Sequence, residues 1–189
     1  MTSLLSLHDS LVAWVDKIGD QLTPLLARFI FAATLTLYYW NSGLTKLGDG
    51  ILGLFSPSIG AYSQIFPKKL EAVGYDVSQF GLFEWAVVMG GTYAEFILPA
   101  LIILGLLTRL AAAGMIGFVV VQSLTDVYGH HATDDKTLGA LFDRFPDAVI
   151  LDQRLFWCFL LLIIVIKGAG ILSLDTLLRK KLTASATMV

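Results

Sequence analysis

Glu95 sits inside the apolar run LFEWAVVMGGTYAEFILPALIILGLL, and a mixed run, YYWNSGLTK at residues 38–46, follows a stretch broken only by Arg28. A carboxylate at the middle of a bilayer costs about 3 kcal/mol or more, so it faces protein and is paired or protonated. A carboxyl group of raised pKa can exchange protons with a bound ligand. Tyrosine, glutamine and lysine can hold a polar headgroup by hydrogen bonds. The candidate set is therefore Glu95 as the proton-handling residue, with Tyr38, Tyr39, Trp40, Asn41, Lys46 and Gln122 as ligand-binding residues. The competing reading makes Glu95 a structural residue, tied to Tyr38, Tyr39 or Gln122.

The elements that must position these residues are membrane spans. The chain has 189 residues, of which 56% are hydrophobic and 15% charged, and its mean hydropathy is +0.75. Soluble domains are about 45–50% apolar and about 25% charged. A helix needs roughly 20 apolar residues to cross the hydrocarbon core. Segments of that kind run from about 24 to 47, 82 to 107, 108 to 128 and 152 to 172. The second and third are joined so closely that they form an antiparallel hairpin. Gly90, Gly91, Ala94, Ala111, Ala112, Ala113, Gly114 and Gly117 would let these helices approach closely. The expected fold is an all-α integral membrane protein, a four-helix bundle forming one domain over residues 1–189. Residues 1–23 place Leu4, Leu7, Leu11, Val15, Ile18 and Leu22 at helical spacing. They read as an amphipathic helix on the membrane interface or packed against the bundle, with Pro24 starting the first span. Ser173 and Asp175 suit the start of a second interfacial helix, whose basic end, Arg179 to Lys181, meets anionic headgroups.

Four spans put both termini on one side. Arg109 in the tight turn and the RKK run near the C-terminus favour that side as cytoplasmic. Counting rise per residue places Tyr38, Tyr39, Glu95 and Gln122 near mid-membrane, and Lys46, Glu84, Asp126, Asp152 and Arg154 toward the outer ends. Lys46 then either pairs with Glu84, Asp126 or Asp152 or stands at the mouth of a pocket. The outer loop around His130, His131, Asp134 and Asp135 reads as a solvated acidic loop, because adjacent histidines are badly placed to share a metal; no metal site is expected. The loop over residues 48–80 covers the outer mouth with short helical pieces, as a lid or a mere cover.

Some function classes drop out. A net charge of −2 gives no basis for nucleic-acid binding. Cys158 is the single cysteine, so there is no internal disulfide and no CxxC redox pair. The sequence has no nucleotide-binding or iron–sulfur motif. Any electrons must come from a partner protein or a small substrate.

The stretches ARFIFAATLTLYYWNSGLTKL, TYAEFILPALIILGLLTRLAAAGM and KGAGILSLDTLL resemble the DoxX family of small bacterial and archaeal membrane proteins. The matching positions are Arg28, Ser42, Gly43, Lys46, Glu95, Thr108, Arg109, Gly168, Gly170, Ser173 and Asp175. The family takes its name from a subunit of a thiosulfate:quinone oxidoreductase. The resemblance implies a four-helix protein of the bacterial inner (plasma) membrane and suggests quinone or redox work. It transfers no established catalytic residue.

Three functions follow as expectations. In the first, the chain is the membrane subunit of a redox or detoxification system that passes reducing equivalents to quinone with a partner protein or as a homo-oligomer. Glu95 handles the proton, Tyr38, Tyr39 and Gln122 hold the headgroup, and Lys46 stands at the mouth. In the second, the protein is a non-enzymatic anchor or assembly factor that docks partners through its outer loops. In the third, it exports a small solute or metal ion.

Overall fold

Apolar runs of this length form helices in the computed structural model, which describes residues 2–186. Met1 and residues 187–189, the ends of the expected domain, lie outside the described residues. Among the described residues, four helical segments are long and apolar enough to cross a membrane. Contacts join α1 (Thr2–Lys46) to α4 (Leu82–Leu104), α4 to α5 (Thr108–Leu124), α5 to α6 (Leu155–Lys167) and α6 back to α1, which closes a ring of four. Phe31, Leu35, Tyr39, Ile102, Met115, Val119, Leu161 and Ile164 fill its centre.

The first helix departs from the expected boundary. α1 runs unbroken from Thr2 to Lys46, with Pro24 inside it. Its 45 residues measure about 67 Å at the α-helical rise, twice the hydrocarbon thickness. A proline inside a helix removes one backbone hydrogen bond and crowds the preceding turn. Here its ring is buried beside Gly170, where a Cβ would lie 3.3 Å from Pro24 Cγ. The N-terminal half therefore extends from the span as the same helix, with Leu4, Leu7 and Leu11 each more than half exposed. Lys167 ties this extension to the end of the fourth span by an ion pair with Asp20 at 2.7 Å.

The loop over residues 48–80 folds as short helices. Ser58 terminates α1 by donating to the Thr45 carbonyl at 3.0 Å, while its backbone N–H donates to the Lys46 carbonyl at 2.9 Å. The same hydroxyl accepts the Ala61 N–H at the start of α2 (Ile59–Ile65). Between them the chain turns tightly, and a Cβ at Gly53 would lie 1.9 Å from the Gly48 oxygen. α3 (Pro67–Ala72) follows. Ala61, Tyr62 and Leu70 pack with Val88 of α4 (Leu82–Leu104).

α5 (Thr108–Leu124) continues through a π-helical turn at Thr125–Gly129. The fourth span comprises a π-helical turn at Val149–Arg154 and α6 (Leu155–Lys167). It thus ends before the expected residue 172, because Gly168 and Gly170 take positive φ values of 84° and 73°. α7 (Leu174–Ala186) then begins on a Ser173 hydroxyl that accepts the Thr176 N–H at 3.2 Å.

Two polar clamps, the buried Arg28 and the half-buried Asp175, fix the end of the bundle where α5 begins and the fourth span ends. The Arg28 guanidinium donates to the carbonyls of Ile102 at 2.8 Å, Ala169 at 2.7 Å and Leu172 at 2.7 Å, and also to Ile103. These carbonyls belong to the last turn of α4 and the turn between α6 and α7, so one side chain satisfies groups the helices leave unpaired. Asp175 accepts the N–H groups of Leu107 at 2.8 Å and Thr108 at 3.0 Å, and the Thr108 hydroxyl at 2.7 Å. It caps the positive end of α5 from the start of α7.

Candidate functional site: a buried ion pair beside a cavity

Helix side chains lean toward the N-terminus of their own helix. Successive spans run in opposite directions, so Lys46 on α1 and Glu95 on α4 lean toward each other. Lys46 Nζ lies 2.9 Å from both Glu95 carboxylate oxygens, and the two side chains are 6% and 4% exposed. The Ser42 hydroxyl, one helical turn before Lys46, donates to Glu95 Oε1 at 3.0 Å and lies 2.6 Å from Lys46 Nζ. The partner of Lys46 is thus Glu95, not Glu84, Asp126 or Asp152. Glu84 is instead paired with Lys69. Asp126 pairs with the buried Arg154 at 2.7 Å. Asp152 accepts the Ala148 N–H at 2.8 Å and holds the turn before the fourth span.

Ser42, Lys46 and Glu95 form one wall of a cavity of about 330 Å³ between α1, α4 and α5. Its apolar walls include Val87, Leu98, Phe118 and Val121, and its end nearest α2 carries Gln64, Thr125, Asp126 and His130. The small residues expected to bring α4 and α5 into contact leave this space. Gly91, Ala94, Gly114 and Gly117 all line it, and a Cβ at Gly117 would meet nothing within 4 Å. Gly114 and Gly117 are exposed, so the cavity opens toward the side of the helices that a bilayer would cover.

The other candidates divide. Gln122 lines the cavity, and its amide nitrogen donates to the Tyr38 hydroxyl at 3.0 Å, which leaves Tyr38 one residue removed from the space. The Gln122 amide oxygen is buried without a partner among the described residues. Tyr39 is fully buried among Tyr38, Phe118 and Trp157, and its hydroxyl has no partner among the described residues. It does not line the cavity. Trp40 donates its indole N–H to the Phe96 carbonyl at 3.3 Å. Asn41 is exposed and outside the cavity wall. Glu95 is tied to Lys46 and Ser42 rather than to Tyr38, Tyr39 or Gln122.

Polar wall residues absent from the expected binding set include Ser42, Gln64, Thr125 and His130. His130 Nε2 lies 3.0 Å from the Gln64 carbonyl oxygen and latches α2 onto the end of α5. The signal was the spacing Gln122, Asp126, His130, which repeats every fourth residue along one helix face. Among the described residues no group of three histidine, cysteine or acidic side chains is placed to hold a metal ion.

Comparison with known proteins adds three findings. The sequence pattern that defines the DoxX family matches residues 23–126, a stretch containing Arg28, Lys46, Glu95 and the whole of α4 and α5. An uncharacterized protein of Haemophilus influenzae is 34% identical over 166 residues, covering 88% of this chain and 89% of its own length. No solved structure matches the chain.

Proposed function

The chain belongs to the DoxX family and is a multi-pass membrane protein, and we propose that it is the membrane subunit of a redox or detoxification system that reduces quinone in its cavity. One observation carries this reading: a buried Lys46–Glu95–Ser42 cluster forms the polar wall of an apolar cavity that opens toward lipid. Small-molecule sites combine apolar walls with a few placed polar groups, and about 330 Å³ is at the small end of their range. It suits a ring-sized headgroup whose tail remains in the membrane.

The chemistry follows from the pair. Reduction of a quinone to a quinol takes two electrons and two protons. The electrons come from a partner redox protein or a small reduced substrate. Lys46 donates a hydrogen bond to the quinone oxygen that gains charge, and Glu95 accepts from Lys46 and fixes it at the cavity wall. Lys46 and Glu95 act as one proton-sharing unit that passes one proton to that oxygen; the second proton reaches the other oxygen from water at the polar end of the cavity, which also reprotonates the pair. Gln122 presents its free amide oxygen to the quinol hydroxyl. Charge density at Arg109 and Arg179 to Lys181 supports placing the inner end, and both termini, in the cytoplasm of a bacterial cell.

A second reading makes the pair structural and the protein an anchor or assembly factor. It is favoured by the saturation of Glu95, whose two oxygens accept from Lys46 and Ser42. The quinone content of purified protein decides between them, wild type beside Glu95→Ala, with equal folding and matched lipid carry-over. Stoichiometric quinone in the wild type and its loss in the variant support the redox subunit. Quinone at the lipid background in both supports the anchor.

A further inference from the structure

A groove of about 610 Å³ lies at the opposite end of the molecule from the Gln64–His130 latch, between the start of α5, the end of α6 and α7. Three cationic side chains line it: Arg109, Lys167 and Arg179. Its lining acid, Asp175, accepts hydrogen bonds from Leu107 and Thr108 and also attracts Arg179, so one carboxylate faces three cations and the groove keeps a net positive charge. Lys167 is engaged with Asp20. Arg109 and Arg179 form no ion pair among the described residues. Arg109 lies across the Gly168 turn, where a Cβ would come within 3.1 Å of its Nε. Gly168 also has a φ of 84°, so the position under the guanidinium is conformationally reserved for glycine. Leu110, Leu178 and Leu182 supply apolar walls beside these charges.

We propose that this groove binds the phosphate of an anionic phospholipid, held between Arg109 and Arg179, with the acyl chains lying along its leucines. Arginine is suited to this because its planar fork donates two parallel hydrogen bonds to phosphate oxygens. Basic pockets beside membrane helices recognise phospholipid headgroups in this way. The site is separate from the quinone cavity and stands whether or not that cavity binds quinone. A lipid is the occupant because the charged and apolar walls adjoin each other at the end of two spans.

The test is lipid retention by the full chain. The protein is purified in mild detergent, equilibrated with an equimolar mixture of phosphatidylglycerol and phosphatidylcholine, and examined by native mass spectrometry. The wild type is expected to retain phosphatidylglycerol preferentially. Each of Arg109→Gln and Arg179→Gln is expected to weaken that preference about five-fold, the effect of one cation at a membrane surface. Lys68→Gln, on the outer loop, is expected to leave it unchanged. Equal retention of the two lipids by the wild type would overturn the proposal. So would an unchanged preference in both folded arginine variants, or an equal loss in Lys68→Gln. Displacement by excess inorganic phosphate at constant ionic strength, without selectivity for the lipid, would assign the groove to free phosphate and overturn it as well.

Discussion

Lys46 and Glu95 are each costly to bury alone and tolerable together. Removing one partner of a buried pair typically costs about 3–5 kcal/mol, while replacing both with apolar residues is often neutral. Lys46→Met is therefore expected to lower stability by roughly that amount, read as thermal unfolding in detergent. The double variant Lys46→Met/Glu95→Met is expected to recover most of the loss yet bind no quinone. A double variant that is as stable and as active as the wild type would make the pair a dispensable clamp. Asp175 gives a pH dependence at the same scale. Burial alone would raise its pKa, but hydrogen bonds from Thr108 and Leu107 outweigh it and hold the carboxyl below its ordinary value. A depressed pKa adds stability above the unfolded-state value and loses it as the pH falls through the folded-state value. Asp175→Asn is thus expected to cost about 1–2 kcal/mol at neutral pH. Its unfolding curve should converge with that of the wild type in acid, and a difference that persists there would contradict the assignment. Glu95 was legible in the sequence as the residue of interest, because a carboxylate in an apolar run has few explanations. Its partner was not, because counting rise along each helix treats side chains as points. Lys46 and Glu95 close that distance by leaning toward each other.

The four spans were legible as elements because each carries enough consecutive apolar residues to need no other cue. Their ends were less so, and the reasons differ. Pro24 promised a helix start, but its ring finds room beside Gly170 and α1 runs through it. The fourth span was expected to reach residue 172, but two glycines at positive φ stop it at Lys167. The small residues of α4 and α5 carried two meanings, close packing or vacant space, which composition cannot separate. At Gly117 it is space; at Gly105 it is close approach. Gly105 has a φ of 68°, and a Cβ there would lie 2.5 Å from Ser173 Cβ and 2.9 Å from Arg28 Nη2. Gly105→Ala is expected to displace Arg28 and to destabilise the protein by more than about 1 kcal/mol. Arg28→Lys should do at least as much, because an ammonium with three donors cannot reproduce a guanidinium fork that reaches four carbonyls. Equal melting temperatures for Gly105→Ala and the wild type would show that the clamp is not rigid.

As a whole the molecule divides into a locked end, where α5 begins and α6 ends, and an open half at the other end. The locked end joins α1, α4, α5 and α7 through Arg28 and Asp175, which explains why several family-like positions there hold structure. The open half holds the Lys46–Glu95 pair, the cavity and the α2 latch. The central claim is that this cavity is a ligand site, and two glycines allow it to be tested without disturbing the ion pair. A Cβ at Gly117 or at Gly90 would meet nothing within 4 Å, but only Gly117 lines the cavity. The measurement is bound quinone per protein in matched lipid for Gly117→Phe and Gly90→Phe. The account predicts that Gly117→Phe loses the quinone while Gly90→Phe, filling only exposed space, keeps it. Equal quinone in the two folded variants would contradict the claim.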